Sequence, residues 1–387
     1  MNNIFSKYLT GDKVIWVITI LLSLFSLLIV YSSTSQLSYK FRGGNTEAYI
    51  LKHALILGGG FLLMVYIHKF KINYFSRLSQ IGIIVSVILL MLVLVMPNGG
   101  KAASRWLFGF QPSDIAKISL IVYLARQLSV NKEQLKNFKV LAWRVMLPIG
   151  MICGLILPAD LSTALMLFAV SMVLVFVSNV SLKHIGAIFG IAIAGFCFLL
   201  LLGTVFPKML PRASTWTSRI AAYVGGDEAE NAADKNYQTD IAKAGIALGG
   251  IQGVGPSKST VKNILPSAWA DFIFAIFIEE YGSILGGLTL ILLYLIILYR
   301  VIVIAKSSTS DFGSYLAFGL GFRIVFQAFL NMGVSVNLQP VTGQPLPMIS
   351  MGGTSILFTS ISLALILSVS KDIVTNEPDK KNAEHAS

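Results

Sequence analysis

Several ionisable side chains of this 387-residue chain stand inside or at the edges of long apolar runs. An ionised group in hydrocarbon costs at least ~2.5–3.5 kcal/mol on insertion scales, so each needs a partner or a task. Asp271 is the sharpest case, because it opens the apolar run DFIFAIFIEEYG directly after a polar loop. A carboxylate placed there can take a proton from an attacking hydroxyl as a general base, or cap the helix that it begins. Glu279 and Glu280 follow about two turns deeper. As neighbours they cannot face one direction, so at least one is expected to pair with a base such as Arg323, midway along a later run. Lys117 follows Asp114 at i,i+3 on one helix face, as a local pair or as part of a site. Asp160 lies in the short turn Pro158–Ser162, where an Asp side chain can accept the orphan N–H groups of the next helix.

Acids next to cations at a membrane surface suit transfer from a lipid-linked sugar diphosphate. The acceptor hydroxyl needs a base. The leaving diphosphate needs cations, or a bound divalent metal such as Mg2+ or Mn2+. Arg105, Lys117, Arg219 and Lys258 are the candidate cations. The polar segment before Asp271 adds Trp216, the acids Asp227, Glu228 and Glu230, and a Gly-rich stretch from Ala244 to Gly255. Its Gly249, Gly250, Gly253 and Gly255 permit either a phosphate-cradling loop or ordinary turns between short helices.

The elements that must position these groups are membrane spans. The chain is 55% hydrophobic and 12% charged, with mean hydropathy +0.75. Soluble domains carry about twice that charged fraction. Runs long enough for a ~30 Å hydrocarbon core lie at 13–32, 49–67, 80–96, 113–129, 142–158, 161–178, 184–206, 271–300, 312–333 and 348–370. The expected fold is therefore an all-α integral membrane protein of about ten transmembrane helices. A long extracytoplasmic loop, 207–270, separates spans seven and eight. The fourth span is interrupted by Lys117 and Arg126, and the eighth is long enough to tilt. No cleavage pattern precedes the first span, which is expected to remain as a signal anchor.

Charge sets the expected direction. Basic residues crowd alternate segments (Lys69, Lys71, Arg77, Arg126, Lys132, Lys136, Lys139, Arg144, Lys183 and Lys306), whereas the short loops opposite hold Lys40, Arg42, Lys101 and Arg105. Both termini are then cytoplasmic: residues 1–12, and 371–387 as a polar, disordered tail. The net charge of +12 thus reads as topology, not as nucleic-acid binding. Cys153 and Cys197 sit in apolar runs, the four His are scattered, and neither a phosphate-loop nor an HExxH motif is present.

Two irregular segments, GKAASRWLFGFQPSDIAK (Gly100–Lys117) and NLQPVTGQPLPMISMGGTS (Asn337–Ser355), interrupt the helical pattern. Backbone that irregular at membrane depth is tolerated only inside protein or along a wet cavity. By the charge count both lie outside, with Asp160, the long loop and Asp271, so a cavity at the outer leaflet is expected.

Those segments, with PADLSTALML and LGGIQGVGPSKSTVKNILPSAWADFIFAIFIEEYG, resemble the signature blocks of the SEDS family. These are the shape, elongation, division and sporulation proteins typified by RodA and FtsW. The blocks occur in the family's order between about residues 100 and 355, and the ten-span plan (13–370) covers nearly the whole chain. The start GDKVIW with VYSSTS is more similar to the division branch, FtsW, than to the elongation branch, RodA.

The resemblance implies a peptidoglycan glycosyltransferase that polymerises lipid II, an undecaprenyl-diphosphate-linked disaccharide peptide, at the outer face of the bacterial inner membrane. It implies a class B penicillin-binding transpeptidase and other divisome proteins as partners. It makes Asp271 the essential residue. It puts head-group contacts on Arg105, Gln111, Ser113, Lys117, Asp160 and Lys258, with support from Trp106, Asp114, Glu279, Glu280, Gly352, Gly353 and Ser355. Some positions depart from the family pattern. Asp114 stands for the usual Glu, and Pro158–Ala159 and Ser162 replace a Gln-Pro and a Gly. Ser267 and Trp269 stand where the family has Glu and His, which removes any role for those two groups here. Two other classes fit a polytopic chain: a lipid II flippase or transporter, and a scaffold that recruits a transpeptidase. A transporter is expected to show repeated halves and midplane charges. A scaffold leaves Asp271 without a task.

Overall fold

The structure is a computed structural model. It describes residues 9–34, 46–95, 105–107, 109–205, 232–265 and 268–384, excepting the side chains of 199, 202–205, 232–236 and 374–384. Lys40, Arg42, Lys101, Trp216, Arg219, Asp227, Glu228, Glu230 and Ser267 lie outside the described residues.

Every expected run lies largely on a helix, although 348–352 and 271–272 fall before their helices begin and 96 and 206 lie outside the described residues. In chain order these are α1 (Lys13–Ser33), α2 (Glu47–Ile67), α3 (Ile72–Val95), α4 (Pro112–Val130), α5 (Phe138–Ile156), α6 (Leu161–Val177) and α7 (Leu182–Val205). Then come α8 (Ala232–Gly249), α9 (Ile273–Gly282), α10 (Thr289–Ser307), α11 (Asp311–Ser335) and α12 (Gly353–Glu384). A wide-turned segment, Ser283–Leu288, joins α9 to α10. Among the described residues, seven helices are long and apolar enough to cross a membrane, counting α9 to α10 as one. Of the others, α6 and the described part of α7 are shorter, and α4 is interrupted by Asp114, Lys117 and Arg126. The backbone of α12 stays helical to Glu384, past Lys371, where composition predicts a disordered tail. Glu377, Lys380, Lys381, Ala383 and Glu384 favour the extension, while Pro378 and the intervening Val, Thr, Asn and Asp residues oppose it.

Local chemistry sets the helix starts. The Asp12 carboxylate accepts from the N–H groups of Val14 (2.9 Å) and Ile15 (3.1 Å), and its other oxygen pairs with Arg300. Pro112 opens α4, where its missing N–H costs nothing. Several buried hydroxyls bond back to their own helices, as Ser171 Oγ does to the Leu167 carbonyl at 2.7 Å, which spares them a bare polar group in an apolar setting. Large apolar side chains such as Leu24, Leu55 and Ile88 stay exposed, as a lipid-facing surface requires.

The chain divides into two compact units. The first holds residues 1–67, 219–300 and 324–364; the second holds 68–218, 301–323 and 365–387. In the first, α8 packs against α9, and Gly60 of α2 lets that helix approach Ser360 of α12. In the second, α3 runs along α4, and Gly319 of α11 admits Ile121 and Leu174. Small residues at such crossings let helices meet closely where no hydrophobic drive is available.

Candidate active site

In the first unit, Asp271 stands just before α9 with its side chain part-exposed. The backbone beneath it is held at three successive carbonyls. Met351 N–H donates to the Trp269 carbonyl (3.0 Å), Ser350 Oγ to that of Ala270 (2.6 Å), and Asn331 Nδ2 to that of Asp271 (2.9 Å). Gly343, at φ +65°, flanks the carboxylate, and a Cβ there would lie 3.9 Å from Asp271 Oδ2. Asp271 is not the cap residue of α9. Phe272 occupies that position without a side-chain cap, so the N-cap alternative fails.

The irregular 337–353 segment is the other wall, and its carbonyls explain how it survives in an apolar setting. Asn331 Nδ2 also serves the Gln344 carbonyl (2.8 Å), and Gln327 Nε2 serves Pro345 (2.9 Å). Tyr294 Oη donates to Pro347, and Ser26 Oγ donates to Ile349 (2.8 Å) while lying 2.7 Å from His53 Nε2. Since the Ser26 proton is committed to Ile349, His53 supplies the hydrogen of that last contact. These four carbonyls are thus met by side chains from α1, α10 or α11, as buried backbone demands. Of the supporting glycines, Gly353 begins α12 and Gly352 lies against Ser355, whose own carbonyl accepts from Thr359.

Glu279 and Glu280 do not use Arg323. Glu279 accepts from Ser259 Oγ, Thr260 N–H (2.8 Å), Thr260 Oγ1 (2.8 Å) and Val261 N–H (3.4 Å). Glu280 accepts from Ser32 Oγ, and its Oε1 lies 3.7 Å from Lys262 Nζ. The buried Lys262 also donates to Ser32 Oγ (3.0 Å) and the Ser257 carbonyl (2.7 Å). Lys258, one of the four candidate cations from sequence, is exposed. Proximity in a folded loop, which sequence spacing does not encode, selected Lys262 as the structural cation.

The Gly-rich stretch does not cradle phosphate through Val254 or Gly255. Their N–H groups donate to the carbonyls of Glu279 (2.8 Å) and Glu280 (3.0 Å), and Ser283 N–H returns a bond to the Gly250 carbonyl (2.9 Å). Gly282, at φ +81°, ends α9 and leaves those groups without helical partners, and the Gly stretch supplies them. The approach is so close that a Cβ on Gly253 or Gly282 would overlap backbone opposite. The turn interpretation holds, with helix repair as its purpose.

In the second unit, Arg105 pairs with Asp160 at 3.2 Å and donates through Nε to the Ala159 carbonyl at 2.9 Å. Asp160 is also the N-cap of α6, accepting from Thr163 N–H at 3.1 Å. Arg105, Gln111, Ser113 and Asp160 line a cavity of about 20 Å³, room for one water and too small for a diphosphate. Trp106 is exposed. Lys117 and Asp114 form a buried pair at 2.6 Å, and Asp114 is also the electrostatic partner of Arg323. Lys117 is therefore committed within the fold, while Arg105 keeps a third of its side chain exposed.

Among the described residues no three His, Cys, Asp or Glu side chains gather in a way that could hold a metal ion. Sequence reasoning passed over Asn331, Gln327, Ser350 and Tyr294. A signal existed for two of them, since Gln327 and Asn331 continue the four-residue spacing from Arg323 along one face of a mostly apolar helix.

Comparison with known proteins accords with this architecture. Residues 12–374 match the FtsW, RodA and SpoVE family, described as cell cycle proteins. The chain is 31% identical over 369 residues to a probable peptidoglycan glycosyltransferase FtsW of Geobacter sp. strain M18, covering 93% of this chain and 96% of the relative. It is 29% identical to stage V sporulation protein E of Bacillus subtilis, covering 95% and 98%. Among solved structures, it superposes on the rod shape determining protein RodA of Thermus thermophilus with TM-score 0.64 at 22% identity, covering 95% and 98%. A chain from a peptidoglycan synthase complex coordinating polymerization and crosslinking gives TM-score 0.71 at 23% identity, covering 95% and 99%.

Proposed function

This chain belongs to the FtsW, RodA and SpoVE family and is a multi-pass membrane glycosyltransferase of cell-wall synthesis, and on that premise we propose that Asp271 is its general base. The observation that carries the assignment is the fixing of three successive carbonyls beneath a carboxylate that stays accessible. A base must hold its place to within a hydrogen bond's tolerance, yet remain reachable by the incoming hydroxyl.

The substrate is lipid II. Asp271 draws the proton from the acceptor sugar's 4-hydroxyl as the oxygen attacks the anomeric carbon of the donor. The glycosidic bond forms with inversion, and undecaprenyl diphosphate leaves. Lys258, exposed in the same unit as Asp271, is the cation offered to anionic groups of the substrate. The described residues do not fit a resident metal, and no step is assigned to one. The family relatives and the crosslinking complex support a class B penicillin-binding transpeptidase as partner, and the FtsW-like start supports a role in division. The charge distribution supports cytoplasmic termini in the bacterial inner membrane, with Asp271 facing outward.

The deciding experiment uses Asp271→Asn, which keeps size and removes the base. Purified variant and wild type are compared on lipid II in proteoliposomes. The expected outcome is loss of glycan strands with unchanged expression and transpeptidase binding. Normal polymerisation by the variant removes the base assignment. Movement of labelled lipid II across the bilayer without any polymer would favour a transporter.

A further inference from the structure

Asn331 is buried in α11, sixty residues from Asp271, and donates to both the Asp271 carbonyl (2.9 Å) and the Gln344 carbonyl (2.8 Å). Two carbonyl oxygens around one nitrogen fix the orientation of the carboxamide, because the flipped amide would set oxygen against oxygen. The same orientation leaves Asn331 Oδ1 buried with no hydrogen bond among the described residues. A group present only to fill space in an apolar helix would be apolar, and a half-satisfied amide signals another purpose.

We propose that Asn331 is a positioning residue that locks the Asp271 backbone to the Gln344 wall and so fixes the direction of the Asp271 carboxylate. The proposal rests on Asp271 as the base for its catalytic consequence, but its geometric content stands apart. Ser350 and Met351 hold Ala270 and Trp269 to the same wall. Of these three donors, Asn331 is the one that meets the carbonyl of residue 271 itself, and it does so from a continuous helix, which makes it the rigid reference.

The test uses the full-length chain with Cys153 and Cys197 replaced by Ser. Asp271→Cys then places a thiol at the site, and its labelling rate with a membrane-impermeant maleimide reports how that position is presented. Asn331→Leu, similar in volume and without donors, is expected to change this rate several-fold. Gln327→Met, one turn away and holding only the Pro345 carbonyl, leaves it near its starting value. In the chain that retains Asp271, Asn331→Leu is expected to lower kcat about 100-fold with KM little changed, since ångström-scale misplacement costs about that much. Asn331→Thr, which keeps one donor, serves if the Leu variant does not accumulate, and is expected to fall between.

An unchanged labelling rate overturns the proposal whatever the turnover. Equal changes from Asn331→Leu and Gln327→Met also overturn it, since the effect would then be general loosening of the wall. A changed labelling rate with full turnover supports the positioning and instead removes Asp271 as the base.

Discussion

Arg105 and Asp160 meet at 3.2 Å while Asp160 also caps α6 through Thr163 N–H, so one carboxylate serves a cation with one oxygen and a helix end with the other. The two tasks separate chemically. Asn caps as well as Asp but carries no charge. Asp160 is itself buried, so Asp160→Asn, which keeps the cap but turns an NH2 group toward the guanidinium, should cost about 1–3 kcal/mol. It should also free the guanidinium, seen as tighter inhibition by a lipid diphosphate. Asp160→Ala should lose about 0.5–2 kcal/mol more through the cap. Thermal unfolding in detergent ranks the three chains, and equal stability of the Ala and Asn variants would mean the cap is inert.

The buried pair Lys117–Asp114 makes a different prediction, because both members are nearly inaccessible. Removing one strands the other charge, at a cost of about 3–5 kcal/mol. Lys117→Met should fail to accumulate or unfold at markedly lower temperature. Exchanging the two residues should not restore the fold, since a Lys at position 114 would face Arg323, the present electrostatic partner of Asp114. Full recovery of folding by the exchange would show that Arg323 plays no part.

Gly282 and Gly250 both have positive φ, yet their substitution should differ widely. A Cβ on Gly282 would overlap the Ile251 carbonyl, whereas around Gly250 the space is open. Gly282→Ala should cost more than about 3 kcal/mol through strain and overlap together. Gly250→Ala should cost about 1–2 kcal/mol from the left-handed backbone alone. Comparable losses at the two sites would contradict the helix repair described for this loop.

Glu279 binds four donors of the Ser259–Val261 turn. In Glu279→Gln one of the accepting oxygens becomes an NH2 group aimed at a donor, and each unmatched buried group costs about 1–3 kcal/mol. Hydrogen exchange of the amides from Ser257 to Leu265 should accelerate in that variant while the rest of α8 and α9 keeps its protection. Protection equal to wild type across the turn would leave the carboxylate's role unexplained.

The helices and the class of chemistry are legible in the order of the amino acids. Helix formation in a bilayer is local, because apolar length and backbone self-satisfaction decide it within about 20 consecutive residues. That is why each run from 13–32 to 348–370 lies largely on a helix, and why Asp271 is marked by its place at the head of an apolar run. The motif blocks, being contiguous, were legible in the same way.

Tertiary structure alone decided which groups meet. Glu280 took Lys262, eighteen residues before it, with Ser32 from the first helix as intermediary, while Arg323 went to Asp114. The Gly stretch became the partner of a broken helix end, and Asn331 became the support of Asp271 across sixty residues. A buried polar group must find a partner in low dielectric, but the rule names only the need. Which donor answers depends on how the helices pack, and that is set by shape complementarity between segments far apart in the chain.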